Sequence, residues 1–128
     1  MLLIKTKVAP SEIKGLGLFA DQDIKAGTLI WQFVPPFDIS IDRDIRNKIP
    51  EIARQQFLKY AFLSIKTGRY ILCFDDDRFF NHSESPNVAS SDIGGEEGSA
   101  IALRDIELGE ELTCSYLEFD ADTLRKLY

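Results

Sequence analysis

The sequence predicts a mostly β domain of several small sheets, with one helical insert near residues 42–63. Three observations predict it. Short alternating or apolar runs recur along the chain, each bounded by Gly, Pro or Asp turns. One stretch alone changes to helical spacing. Two short segments, Asp23-Ile24-Lys25-Ala26-Gly27 and Asp105-Ile106-Glu107-Leu108-Gly109, repeat one turn pattern between apolar runs.

Leu2 to Val8 alternates apolar and polar residues, as a half-buried strand does, and Pro10-Ser11 ends it. Leu16 to Ala20 reads as a second strand. Thr28 to Phe33 is β-branched and aromatic, a third strand, stopped by Pro35-Pro36. In the helical stretch, Ile45, Ile49, Ile52, Ala53, Phe57, Tyr60 and Ala61 recur at roughly helical intervals. Pro50 divides it into a short helix and a longer one beginning near Glu51. Tyr70 to Phe74, Ala100 to Leu103 and Glu111 to Tyr116 are strand-like, and Asp120 to Tyr128 suits a terminal helix. In the repeated turns, glycine supplies the positive φ of a tight reversal.

The length of 128 residues suits one domain, residues 1–128. With 45% apolar and 28% charged residues the composition is that of a globular protein. No apolar run approaches the ~20 residues of a membrane span, and the first residues lack the pattern of a signal peptide. The expected location is intracellular, cytoplasmic in the first instance and nuclear in a eukaryote. Two cysteines, Cys73 and Cys114, and one histidine are too few for a disulfide scaffold or a structural zinc site. The net charge of −6 argues against direct nucleic-acid binding and is compatible with a basic protein partner. Asp75-Asp76-Asp77 lacks the spaced oxygen ligands and central glycine of a calcium loop, and reads as a solvated turn.

Three segments carry chemistry. Lys14-Gly15-Leu16-Gly17-Leu18-Phe19-Ala20 holds two glycines that allow a tight turn or a close ligand approach, without the third glycine of a dinucleotide loop. Arg78-Phe79-Phe80-Asn81-His82-Ser83-Glu84-Ser85-Pro86-Asn87 packs polar groups beside aromatics, costly to bury without partners. Gly109-Glu110-Glu111-Leu112-Thr113-Cys114-Ser115-Tyr116 is a turn and a strand ending in tyrosine. Singly each is also ordinary architecture: a hairpin, a polar turn, a strand. Together and in this order they resemble the three signatures of the SET-domain protein lysine methyltransferases, and the resemblance covers essentially the whole chain. It is similar to the small stand-alone bacterial and viral members, with no zinc-binding segment after the domain.

The resemblance implies a β-clip fold around a knot-like core, with S-adenosyl-L-methionine as cofactor and a lysine-bearing protein or basic peptide as substrate. It implies that Lys14, Leu16 and Gly17 meet the methionine end of the cofactor through their backbone. Asn81 would hold the cofactor's amino-acid part. His82 would bind the adenine through its backbone, its side chain being structural. Phe80 and Phe119 would wall the cofactor pocket and the substrate channel, or pack as ordinary core aromatics. Tyr116 would be the catalytic tyrosine beside the transferring methyl, either taking the lysine's proton or only positioning it. Tyr60 is a second channel tyrosine or a core aromatic. Cys114 stands where many members carry Phe or Tyr, which implies a wider channel that accepts methylated lysine. The channel would be closed by residues 117–128, by a partner such as a second copy in a homodimer, or by substrate. The reading in a different class is a module that binds the cofactor or a peptide without catalysis.

Overall fold

The computed structural model describes residues 1–127. In chain order the strands are β1 (Thr6–Pro10), β2 (Leu16–Ala20), β3 (Leu29–Gln32), β4 (Ile39–Ile41), β5 (Phe62–Leu63), β6 (Tyr70–Leu72), β7 (Asn81–His82), β8 (Val88–Ser91), β9 (Ser99–Ala102) and β10 (Glu111–Cys114). The helices are α1 (Glu51–Tyr60) and α2 (Thr123–Leu127). The strands form three sheets, ordered β1-β2-β10-β7, β3-β9-β8 and β4-β6-β5. The expected mostly β class holds.

Several boundaries move, each for a local reason. The alternating run from Leu2 to Val8 is two pieces. Leu2 bridges Trp31 and gives its N–H to the Asp75 carboxylate at 2.8 Å, while only Thr6–Pro10 pairs with β2. The helical insert is shorter than expected. Arg43–Asn47 is a 3-10 turn capped by Asp42, α1 starts after Pro50, and Phe62–Leu63 leaves the helix as β5. The terminal helix begins at Thr123, and Tyr128 lies outside the described residues. The short strands β4, β7 and β8 escape sequence reading. β8 is mostly small and polar (VASS), without an apolar period to mark it.

The repeated turns are partners. Ile24 and Ile106 exchange both backbone hydrogen bonds at 2.8 Å. Asp105 accepts from the Ala26 N–H and Asp23 from the Leu108 N–H, each at 2.9 Å. Gly27 N–H bonds to Ala102 O and Gly109 N–H to Ala20 O, each at 2.8 Å. One motif is used twice, face to face, and both isoleucines are buried. It joins the end of β2 to the end of β9.

Leu18, Ile30, Ile71, Ile106 and Leu112 form the centre of the main core, with Trp31 and Phe80 at its margin. A second cluster, Ala61, Leu63 and Tyr70, receives α1 through Phe57, whose ring meets Tyr70 edge-on at 5.1 Å. β10 is the strand that matters for the site. It lies between β2 and β7, antiparallel to the first and parallel to the second. The buried Asn87 side chain fastens it. Asn87 Oδ1 accepts the Thr113 N–H at 2.9 Å and Asn87 Nδ2 donates to Glu111 O at 2.8 Å.

Replacing Asn87 with Ala would strand one donor and one acceptor of β10 in the interior. Each buried unpaired group costs about 1–3 kcal/mol. Urea unfolding should show Asn87→Ala less stable by roughly 2–4 kcal/mol, and a smaller loss than ~1 kcal/mol would contradict the fastening role.

Candidate active site

The first half of the site is the junction of the glycine segment with β7 and β10. Asn81 Nδ2 donates to Leu16 O at 3.1 Å, to Lys14 O at 3.3 Å and to Glu111 Oε2 at 3.0 Å. The Glu111 carboxylate also takes the Ser11 hydroxyl at 2.8 Å. A Cβ on Gly17 would stand 2.5 Å from Glu111 Oε2, so only glycine leaves room for this carboxylate. Gly15 adopts φ +51°, which glycine takes without strain. The structure thus brings Lys14, Leu16, Gly17 and Asn81 together around Glu111, a residue the sequence reading did not single out.

His82 follows on β7. Its Nδ1 accepts the backbone N–H of Tyr116 at 3.1 Å, which leaves Nε2 as the position that carries the ring proton. Its ring lies 5.4 Å from that of Tyr116. The side chain therefore orders the backbone that presents Tyr116.

Tyr116 follows the end of β10 and donates its hydroxyl to Phe80 O at 2.5 Å. Burial, reinforced by the nearby Cys114, Asp120 and Asp77, pushes its phenol well above the ordinary tyrosine value. The hydroxyl therefore stays protonated and serves as a hydrogen-bond donor.

The second half is a cavity of about 120 Å³. Tyr60, Phe80, Cys114, Tyr116 and Phe119 all line it, so residues distant in sequence share one wall. The ring of Phe119 meets those of Tyr116 at 5.9 Å and Phe62 at 5.0 Å, both edge-on. Tyr60 is held by Phe79 at 6.3 Å and by the Arg78 guanidinium, 4.9 Å from its ring. Lys14, Leu16, Gly17, Asn81 and His82 lie outside the cavity lining, and Phe80 and Tyr116 join the two halves.

Residues past Tyr116 complete the wall. Phe119, Asp120 and Lys126 line the cavity, and Ala121 N–H bonds to Leu63 O at 2.8 Å. Asp120 Oδ1 accepts the N–H groups of Leu63 (3.1 Å) and Asp122 (2.9 Å). Sequence reasoning left the closing element open among three possibilities and did not find Lys126 or Asp120. A charged residue in a short amphipathic tail carries no signal of such a position.

The acidic triplet is divided among three tasks. Asp75 caps the turn at Asp77 N–H and holds Leu2, Asp76 is exposed, and Asp77 lines the cavity. Asp77 accepts the Cys73 thiol at 3.2 Å. Burial pushes its carboxyl up to about 7, partly offset by that thiol hydrogen bond. Both cysteines are free, and burial pushes their thiols up.

The family model described as SET domain matches residues 15–117. The chain belongs to the SET-domain family. The SET domain is 30% identical over 115 residues to a histone-lysine N-methyltransferase, H3 lysine-36 specific, of Eremothecium gossypii, covering 85% of this chain and 16% of that protein. It is 30% identical over 134 residues to an H3 lysine-4 specific enzyme of Aspergillus oryzae (91% of this chain, 10% of the relative). It is 31% identical over 130 residues to the Drosophila melanogaster histone-lysine N-methyltransferase trr (90% and 5%). The chain thus spans a sixth or less of the length of these relatives. In fold it is similar to the crystal structure of a Plasmodium falciparum protein assigned as a histone methyltransferase. That match has a TM-score of 0.59 and 21% identity, over 90% of this chain and 95% of the other.

Asp77 makes a pH prediction. Its carboxyl titrates near 3.8 unfolded and near 7 folded, so the native fold favours the neutral acid. Stability from this group is full below pH ~4, falls as pH rises to ~7, and is constant above. The loss is at most about 4 kcal/mol, since part of its surface is open to the cavity. In urea unfolding at pH 5 and pH 8, Asp77→Asn should show a smaller drop between the two than wild type. An equal drop would contradict the assignment.

Proposed function

We propose that this SET domain transfers a methyl group from S-adenosyl-L-methionine to the ε-amino group of a protein lysine. The observation that carries the reading is the Tyr116 hydroxyl, fixed on Phe80 O where the cavity meets the Asn81 junction.

The residues present suit such a cofactor. The carbonyls of Lys14, Leu16 and Phe80 face Asn81 and Tyr116 as hydrogen-bond acceptors, complementary to a cationic ligand. Asn81 gives its amide nitrogen to the chain, and its Oδ1 receives no donor among the described residues, so it can accept the ammonium of an amino acid. His82 would present its backbone, its side chain being engaged with Tyr116. S-adenosyl-L-methionine supplies, when bound, a methyl group on a sulfonium for attack by a neutral amine.

The chain's own residues position and exclude. Tyr60, Phe62, Tyr116 and Phe119 offer aromatic faces to the aliphatic stem of a lysine. The raised phenol of Tyr116 supports a donor that holds geometry over a base that takes the lysine's proton. Free lysine has a pKa of about 10.4, and a desolvated site lowers it. Loss of the proton to water then precedes attack, and alignment by Tyr116 contributes several kcal/mol. Cys114, small and buried in the wall, leaves space that Phe or Tyr would fill, which favours substrates that already carry a methyl group.

Relatives named as histone-lysine methyltransferases make histones the first substrate pool to test, and a whole lysate the second. Wild type should transfer labelled methyl to a lysine, and Tyr116→Phe should lower the rate by at least about 100-fold with unchanged circular dichroism. Cofactor binding by calorimetry without transfer to either pool would instead support the non-catalytic module. For Cys114, mass spectrometry of the product should show di-methyllysine with wild type and mono-methyllysine with Cys114→Tyr. Strictly single methylation by both would sink the role given to Cys114.

A further inference from the structure

Lys59, Lys66 and Lys126 line the cavity, and the ammonium of Lys126 lies over the ring of Tyr116. Lys126, on α2, places its Nζ 2.6 Å from Asp120 Oδ2 and donates to Ala61 O at 2.8 Å. The same nitrogen lies 5.9 Å from the centroid of the Tyr116 ring. Its side chain is only 17% exposed, and Asp120 beneath it is buried. Asp120 cannot follow a moving partner, because its Oδ1 is tied to the Leu63 and Asp122 N–H groups. Leu124 is 69% exposed, Thr123 is buried with its hydroxyl donating to Asp120 O at 2.5 Å, and Arg125 reaches Leu58 O and Asp122 Oδ2, each at 3.2 Å.

An ε-ammonium is thus delivered by the chain to the face of Tyr116, inside the cavity proposed to receive a substrate lysine. We propose that Lys126 is a substrate of its own active site, methylated in cis on Nζ. The inference rests on the methyltransferase reading. Lys126 has a flexible four-carbon stem, and its Nζ already lies 5.9 Å from the centroid of the ring that carries the catalytic hydroxyl. The paired ammonium has no lone pair and cannot react. On leaving Asp120 it gives its proton to water at the cavity mouth, a loss favoured by a neighbouring sulfonium charge. Nζ then forms a bond to the methyl carbon of S-adenosylmethionine as the carbon–sulfur bond breaks. The bonding pair returns to sulfur, which leaves as a neutral thioether. The product is a secondary ammonium, which takes over the positive charge that sulfur gives up and carries two donors in place of three.

The tether makes the reaction unimolecular, so its rate per molecule is independent of protein concentration. The experiment uses the full chain and two readouts. Without cofactor, trace acylation by acetic anhydride should modify Lys126 roughly tenfold more slowly than exposed Lys25, because an ion pair and a charge-assisted hydrogen bond must first be released. Equal reactivity of the two would overturn the placement in the cavity. With trideuteromethyl S-adenosylmethionine, peptide mass spectrometry should find the label on Lys126, with first-order kinetics at every protein concentration. K126R, which keeps a cation for Asp120, should lose that label. Transfer to histones or lysate proteins with Lys126 unlabelled overturns this inference alone. A rate at Lys126 that rises with protein concentration overturns the cis route. No transfer to any lysine overturns the methyltransferase reading and this inference with it.

Discussion

The position of β10 is the constraint on which the site depends, and residues 81–87 impose it. Thr113 N–H and Glu111 O are held by the amide of Asn87, and Ser83 N–H bonds to Cys114 O at 3.0 Å. Asn81 and His82 run parallel beside Thr113 and Cys114. A parallel pair only two residues long is weak alone, and the side-chain amides supply what the ladder lacks. The consequence reaches Tyr116 twice: His82 Nδ1 fixes its backbone and Phe80 O fixes its hydroxyl. Both anchors come from the same short segment, so one crossing of the chain sets both ends of the residue.

The opposite face is held by a different device. The turns at Asp23–Gly27 and Asp105–Gly109 bond to each other with matching partners, residue for residue. Reciprocity doubles the backbone bonds made per turn and buries Ile24 and Ile106 against the core. This couples the end of β2, which carries the glycine segment, to the turn that precedes β10. The glycine segment and the Tyr116 strand are therefore tied together at this end as well as through β2 and β10 pairing.

Much of this was legible in the sequence where residue type forces geometry. The strands with β-branched or alternating residues, the helix after Pro50 and the three motifs fall where their chemistry places them. The two turns were read as alike, but that they face each other is a tertiary fact with no local signature. β8 was missed because Val88-Ala89-Ser90-Ser91 is governed by pairing with β9 and not by an apolar face. Glu111 reads only as the first residue of a strand, although Gly17 is the glycine it is because that carboxylate stands 2.5 Å from its Cβ position. Asp120 and Lys126 matter through their contact with each other, and one contact six residues apart, across the turn that opens α2, leaves no period to read.

The charge of the cavity also departs from that of the chain. The net charge is −6, yet the cavity wall carries Lys59, Lys66, Arg78 and Lys126 against Asp77, Glu97 and Asp120. Asp120 is paired with Lys126, and burial pushes the carboxyl of Asp77 up to about 7. The interior is therefore not a negative trap for ammonium groups, and overall acidity can act only from outside, where salt screens it within about 8–10 Å. For the proposed reaction this is the useful sign. Methyl transfer needs an amine without its proton, and positive neighbours in a desolvated space lower an amine's pKa. A strongly acidic cavity would bind lysine well and hold it in the unreactive form. Aromatic walls with a slight excess of cations bind the stem instead, and make the proton the part of the substrate least welcome inside.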